Sequence, residues 1–148
     1  MAKALVIDDE DIPRESYAEM LEGLGYDVVK SESSIAGIQL MKDGYEFDLV
    51  FCDVVNSGPS GHVGGVDTAE YVLANHPFAK LVMISGTPEI WKDTIKIRPQ
   101  AAQLQALPFI VKNGVPIKEM EKIIQAAVSR RAAGKTPIAE FKGDTLRM

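Results

Sequence analysis

Short apolar runs alternate along this chain with stretches in which apolar residues recur every three or four positions. That alternation predicts strands interleaved with helices. Lys3 to Ile7 reads as a first strand, and Asp11 followed by Pro13 reads as an N-cap with an early helical proline. Tyr17, Met20, Leu21 and Leu24 share one helical face, and Gly25 ends that helix. A second strand is predicted over Asp27 to Lys30, with Ser34 capping a helix that carries Ile35, Ile38 and Met41 and stops at Gly44. Phe47 to Cys52 is almost continuously apolar, as expected of a central strand buried on both faces. The stretch VVNSGPSGHVGG, residues 54 to 65, contains four glycines and a proline and is expected to be a loop. A helix from Val66 to Asn75, a strand from Lys80 to Ile84 and a helix starting near Pro88 and broken by Pro99 come next. Phe109 to Val111 forms a short fifth strand, and Ile117, Met120, Ile124 and Ala127 mark a last helix beginning near Pro116. After Ala133 the pattern dissolves. Residues 1 to 133 are therefore expected to form one domain, and residues 134 to 148 a tail, either disordered or docked on a partner.

Five strands alternating with five helices imply an α/β, doubly wound parallel sheet of order 2-1-3-4-5. The 148 residues, 46% hydrophobic and 25% charged, suit a single core and leave no room for a second full domain. A net charge of -5 argues against binding nucleic acid, because there is no excess of lysine and arginine to displace counterions. The lone Cys52 allows no disulfide within the chain and no multi-cysteine metal site, which fits a reducing cytoplasm. Ala4 to Ile7 is too short for a signal peptide or a membrane span.

In a doubly wound sheet the functional crevice lies beyond the carboxyl ends of the strands. Asp8, Asp9 and Glu10 follow the first strand, Asp53 ends the third, Ser85 the fourth, and Lys112 follows the fifth. With strands one and three adjacent, Asp8, Asp9 and Asp53 converge. Carboxylates this close repel by roughly 4 kcal/mol per pair at an effective dielectric near 20, so a compensating cation is required. A hard oxygen-ligated ion, magnesium above all, meets that need and takes part of its shell from a phosphate. Lys112 suits a phosphate oxygen or Asp53, and Ser85 can donate a hydroxyl. This is the equipment for forming an aspartyl phosphate.

Over about residues 3 to 130 the chain resembles the response-regulator receiver domains of two-component signalling, which have a flavodoxin-like fold. The resemblance implies that Asp8 and Asp9 are the acidic pair that binds magnesium and that Asp53 is the phosphoacceptor. It also implies that Val55 gives a backbone carbonyl to the metal, that Ser85 followed by Gly86 is the hydroxyl position, and that Lys112 is the site lysine. Phe109, three residues before that lysine, matches the aromatic that turns inward when the hydroxyl engages phosphate. A histidine kinase or a histidine phosphotransfer protein would be the donor, an unknown downstream protein the target, and a homodimer is left open. No DNA-binding or enzymatic output domain is expected, so output would run through protein contacts.

The chain departs from the family pattern in three places. The loop after Asp53 is longer and richer in glycine than the usual apolar-Pro-apolar-x-Gly turn. Asn113 stands where proline usually follows the lysine, so the Lys112-Asn113 bond is expected to be trans, because a cis bond to a non-proline residue costs about 2.5 to 4 kcal/mol. The segment from Ser85 to Lys112 is also lengthened and contains Pro99.

Three rival readings remain. A haloacid-dehalogenase-type phosphohydrolase would need a second aspartate two residues after Asp53, where Val55 stands. A nucleotide-binding loop is disfavoured because neither GxGxxG nor GxxxxGK[ST] occurs. A receiver-like interaction module that no longer switches is the third. His62 and His76 are expected to face solvent, Cys52 to be a buried strand residue rather than a nucleophile, and Trp91 either to pack on the sheet or to lie exposed.

Overall fold

The computed structural model describes residues 1–112 and 114–132. Strands β1 (Lys3–Ile7), β2 (Asp27–Ser31), β3 (Leu49–Asp53), β4 (Lys80–Ser85) and β5 (Phe109–Val111) form one sheet in the order β2-β1-β3-β4-β5. Every neighbouring pair is parallel, as the alternation predicts. The register brings two acids together. Ile7 pairs with Cys52, so the residues after each, Asp8 and Asp53, stand side by side.

Helices α1 (Asp11–Gly23), α2 (Ser34–Lys42), α3 (Gly64–Asn75), α4 (Pro88–Ile95), α5 (Ala101–Gln105) and α6 (Ile117–Ala132) connect and follow the strands. Helix α1 meets α6, while α2, α3 and α4 meet in succession. Right-handed crossovers in an order that reverses at β1 put these two groups on opposite faces of the sheet. Strand β3, covered from both sides, is buried at every position. Leu5, Val6, Ile7, Val50, Phe51, Met83 and Ile84 form the centre of the core.

Several local expectations are corrected. Six helices rather than five are present among the described residues, because the chain resumes a helix after Pro99. The segment Ala101–Gln105 is too short to show a period, but its residues favour helix and Leu104 is fully buried as its anchor. Ser33, not Ser34, caps α2, its Oγ accepting from the Ala36 N–H at 3.1 Å. Asp11 lies inside α1 instead of capping it, and paired to Arg14 it favours the positive end of the helix. Strand β3 starts at Leu49, since Phe47 stacks on Tyr45 ahead of the ladder. On α2, Ile38 and Met41 are buried but Ile35 is exposed, and on α6 Ile117 is likewise exposed. Trp91 packs inward against Phe109, their ring centroids 5.8 Å apart. His62 is exposed, whereas His76 is half-buried against Tyr71.

The glycine-rich stretch is more ordered than a plain loop. Gly64 and Gly65 are already the first turn of α3, and bridges join Asn56 to Val63 and Gly58 to Gly61. Ser60 donates from both N–H and Oγ to the Asp67 carboxylate. A Cβ on Gly65 would stand 2.6 Å from the Val54 Cα and 3.0 Å from the Asp53 carbonyl oxygen, so only glycine lets α3 begin against the end of β3. Further on, Arg98 makes a two-pronged pair with Glu70, joining the chain just past α4 to α3.

Gly65→Ala is expected to destabilise the protein by about 1 to 3 kcal/mol, since the obstacle is backbone and cannot turn aside. The measurement is the urea midpoint at unchanged slope. Gly23→Ala, where the added methyl meets nothing within 4 Å, should instead be neutral or stabilising by up to about 1 kcal/mol.

Candidate functional site

The carboxyl ends of β1, β3 and β4 and the residue after β5 meet at a shallow cleft of about 510 Å³. Asp9, Glu10, Asp53, Val55, Ser85, Gly86, Thr87, Ile90 and Lys112 line it. Asp8 lies beneath, fully buried. Its Oδ1 accepts the Glu10 N–H at 2.9 Å, and its carbonyl accepts from Arg14 Nη1 at 2.9 Å. These two bonds fold the turn after β1 so that the exposed Asp9 comes to the same point. Carboxylate oxygens of Asp8, Asp9 and Asp53 lie within 4.8 Å of one another.

Lys112 reaches into this cluster. Its Nζ is 3.3 Å from Asp8 Oδ2 and 3.3 Å from Asp53 Oδ2, and it sits 5.9 Å from the centroid of the Tyr17 ring. The backbone secures the reach, because the Lys112 N–H donates to the Ser85 carbonyl at 2.8 Å and so extends the β4–β5 ladder by one step. Periodicity along α1 marks Tyr17 as core alone. It is core, packed edge-on to Phe51, but it also forms the floor under the lysine, and helical spacing does not distinguish these roles.

Burial dominates the electrostatics. It pushes the Asp53 carboxyl up from 3.8 to about 6, with Lys112 pulling it back down and Asp8 adding to the rise. For Lys112 burial acts against the charged form, yet Asp53, Tyr17 and Asp8 together outweigh it and the ammonium is held above its usual range. The Tyr17 phenol is pushed up to about 12, chiefly by burial. Cys52, enclosed beside Asp53, is also pushed up to about 12 by burial, which leaves no thiolate at neutral pH and agrees with its reading as a structural residue.

The donor set suits a small hard cation. All three side chains offer oxygen, and their 4.8 Å spread is close to the roughly 4.2 Å between opposite ligands of a magnesium shell with ~2.1 Å bonds. Val55, on the cleft wall, donates its N–H to Asp53 Oδ1 at 3.4 Å.

Ser85 is buried, its Oγ accepting the Thr87 N–H at 3.0 Å and lying 3.3 Å from Thr87 Oγ1. Thr87 therefore stands beside the Ser85 hydroxyl as its hydrogen-bond partner, a neighbour that no spacing rule announces. Phe109 does not line the cleft. It is 5% exposed and lies against Trp91, so any movement of this ring starts from a buried position. Asn56 is a second residue that sequence patterns do not single out: buried, it donates from Nδ2 to the Asp53 carbonyl at 2.7 Å and accepts the Ser34 N–H at Oδ1 at 2.6 Å. The expectation for the Lys112-Asn113 bond and that for the tail over 134–148 lie outside the described residues.

A response regulator receiver protein from Sinorhizobium medicae superimposes at a TM-score of 0.70 with 21% identity, over 88% of this chain and 96% of that one. The chain has the receiver-domain fold. A response regulator receiver domain protein from Clostridium thermocellum gives 0.67 at 21% identity, over 91% of this chain and 100% of that one. A Thermotoga maritima response regulator in complex with Mg2+-BeF gives 0.66 at 20% identity, over 86% of this chain and 99% of that one. No family model and no curated protein matches the sequence. Among the described residues no helix is long and apolar enough to cross a membrane.

The raised Asp53 carboxyl makes a prediction about stability. The folded state holds the Asp53 proton more tightly than the unfolded chain, so Asp53 costs stability as pH rises from about 4 through 6 and the full cost is present above that. In metal-free buffer Asp53→Asn should be more stable than wild type by on the order of 1 to 3 kcal/mol at pH 7.5, with the gap closing toward about pH 4. Thermal unfolding across that range measures it; a variant less stable at pH 7.5 would show that Lys112 more than compensates the burial.

Proposed function

We propose that this chain is a phosphorylation-activated signalling switch, in which Asp53 accepts a phosphoryl group from a histidine kinase or a histidine phosphotransfer protein. The observation that carries the reading is the double contact of Lys112, 3.3 Å from both Asp8 and Asp53, with Asp9 completing the carboxylate cluster at the mouth of an open cleft. A lysine used only to neutralise a buried acid would need neither a third carboxylate nor an opening to solvent.

In the proposed reaction an Asp53 carboxylate oxygen attacks phosphorus, the bond from phosphorus to the donor breaks, and the leaving group departs with the electron pair. Magnesium, held by Asp8, Asp9, Asp53 and the Val55 carbonyl, would supply neutralisation of charge on the transferring group. Lys112 supplies the second positive charge and is oriented by its backbone bond to Ser85. The Ser85 hydroxyl leaves Thr87 to donate to a phosphoryl oxygen, which frees the turn that begins α4. Strand β4, helix α4 and β5 thereby change together, and a downstream protein reads that face. The chain is a phosphoacceptor rather than an enzyme with a separate substrate. Val55 at the position two beyond Asp53 offers no acid–base side chain for a phosphohydrolase cycle. The resemblance and the single buried thiol favour a cytoplasmic location.

Incubation with acetyl phosphate and magnesium should add one phosphoryl group by intact mass, and Asp53→Asn should add none. Equal labelling of the variant would overturn the acceptor assignment, while tight magnesium binding without any labelling would favour the non-switching interaction module.

Ser85→Ala should still accept phosphate yet show a much smaller change in amide exchange around residues 86 to 110. A full wild-type response in that variant would remove the hydroxyl as the trigger.

A further inference from the structure

The loop after Asp53 does not lean over the cleft. Beyond Val55, none of its residues lines the cleft. It is fastened instead to the start of α2, through two bonds: Ser34 N–H to Asn56 Oδ1 at 2.6 Å and Ile35 N–H to the Ser57 carbonyl at 3.1 Å. These satisfy two of the free N–H groups that every helix presents at its first turn. Asn56 is 3% exposed, and its carboxamide is used at both ends, because Nδ2 donates to the Asp53 carbonyl at 2.7 Å.

The peptide unit between Asp53 and Val54 is thus held on both sides. Its N–H donates to the Ile84 carbonyl of β4 at 2.9 Å, and its carbonyl is held by Asn56. Any tilt of that peptide, such as a new load on the Asp53 side chain would impose, pulls on one rigid planar amide whose far end carries the first turn of α2. The bonds at both ends are short and buried, where a broken partner costs about 1 to 3 kcal/mol, so the elements shift together more readily than the bonds break.

We propose that Asn56 is a positioning residue that couples the acceptor turn to α2, so that the first turn of α2 and the loop packed on it report the state of Asp53 independently of the α4 face. The inference rests on Asp53 being the loaded residue. Ser34 is the first residue of α2, where proline is well tolerated, and Ser33 before it has the extended backbone that proline requires (φ -155, ψ 160). Ser34→Pro therefore removes the N–H bound by Asn56, and because the ring Cδ takes that hydrogen's place against Asn56 Oδ1, the carboxamide must turn away and the whole link between the Asp53 carbonyl and α2 is cut.

Wild type and Ser34→Pro are compared by amide chemical shifts during titration with magnesium alone and then with acetyl phosphate, with intact mass followed in parallel. In wild type the amides of Ile35, Ala36 and Gly37 should move with those near Ser85. In Ser34→Pro the α2 response should be lost, while phosphoryl uptake and the response near Ser85 persist. An unchanged α2 response in the variant, or a still α2 in wild type, overturns the coupling. If wild type gains no mass, the phosphoacceptor reading fails on its own, and the magnesium titration still decides the coupling by the same loss or retention at Ile35 to Gly37. Should Ser34→Pro not fold, Asn56→Ser serves instead: one hydroxyl cannot span both partners, and the same loss at α2 is expected.

Discussion

Two carboxylates on neighbouring parallel strands, both removed from water, cannot stand next to each other without a positive charge between them. Asp8 and Asp53 are put in that position by the Ile7 to Cys52 register, and Lys112 is the charge the chain itself provides. The requirement spreads outward. Lys112 must leave the end of β5 at the right height, which its bond to Ser85 secures, and it must have a floor, which Tyr17 and Phe51 build from α1 and β3. Four strands and one helix are thereby committed to a single point. Even so, burial wins over attraction at Asp53, whose carboxyl remains raised. A further cation among the three carboxylates would offset that cost.

Behind the cluster, packing supports geometry. Gly65 lets α3 begin in contact with the backbone of Val54, and Gly37 brings α2 down onto Ile7, the residue before Asp8. A side chain at Gly65 would push α3 away from the backbone at the end of β3, and one at Gly37 would crowd the end of the Ile7 side chain. The small residues and the buried acids are thus two parts of one arrangement.

The acids, the lysine and the strand order were legible because they rest on local signals: apolar runs that end abruptly in Asp8 or Asp53, and an alternation that admits few topologies. Ser85 was legible only by its place after such a run. What stayed hidden depends on contacts between segments distant in the chain. Asn56 looks like any loop asparagine until Ser34, 22 residues earlier, is brought to it. Tyr17 falls on a core-facing helical position and hides its second neighbour, Lys112. Helix α5 is shorter than two turns, below the length at which a period can be seen, and the caps fall one residue before the reading, at Ser33 rather than Ser34 and at Glu10 rather than Asp11, because helix ends are set by local backbone geometry that adjacent polar residues do not distinguish.

The two-pronged pair of Arg98 with Glu70 has a mechanical meaning. It anchors the chain just beyond the last turn of α4 to α3, whereas the first turn, next to Thr87 and the cleft, is held by the hydroxyl of Ser85, by the bonds of its own turn and by the packing of Trp91 on Phe109. A rod held more firmly at one end than at the other does not slide under load; it swings. Were Ser85 to give up Thr87 in the proposed reaction, helix α4 would act as a lever with its fulcrum at Arg98, every residue turning through the same small angle and the displacement being largest at the end nearest Ser85 and vanishing toward Glu70.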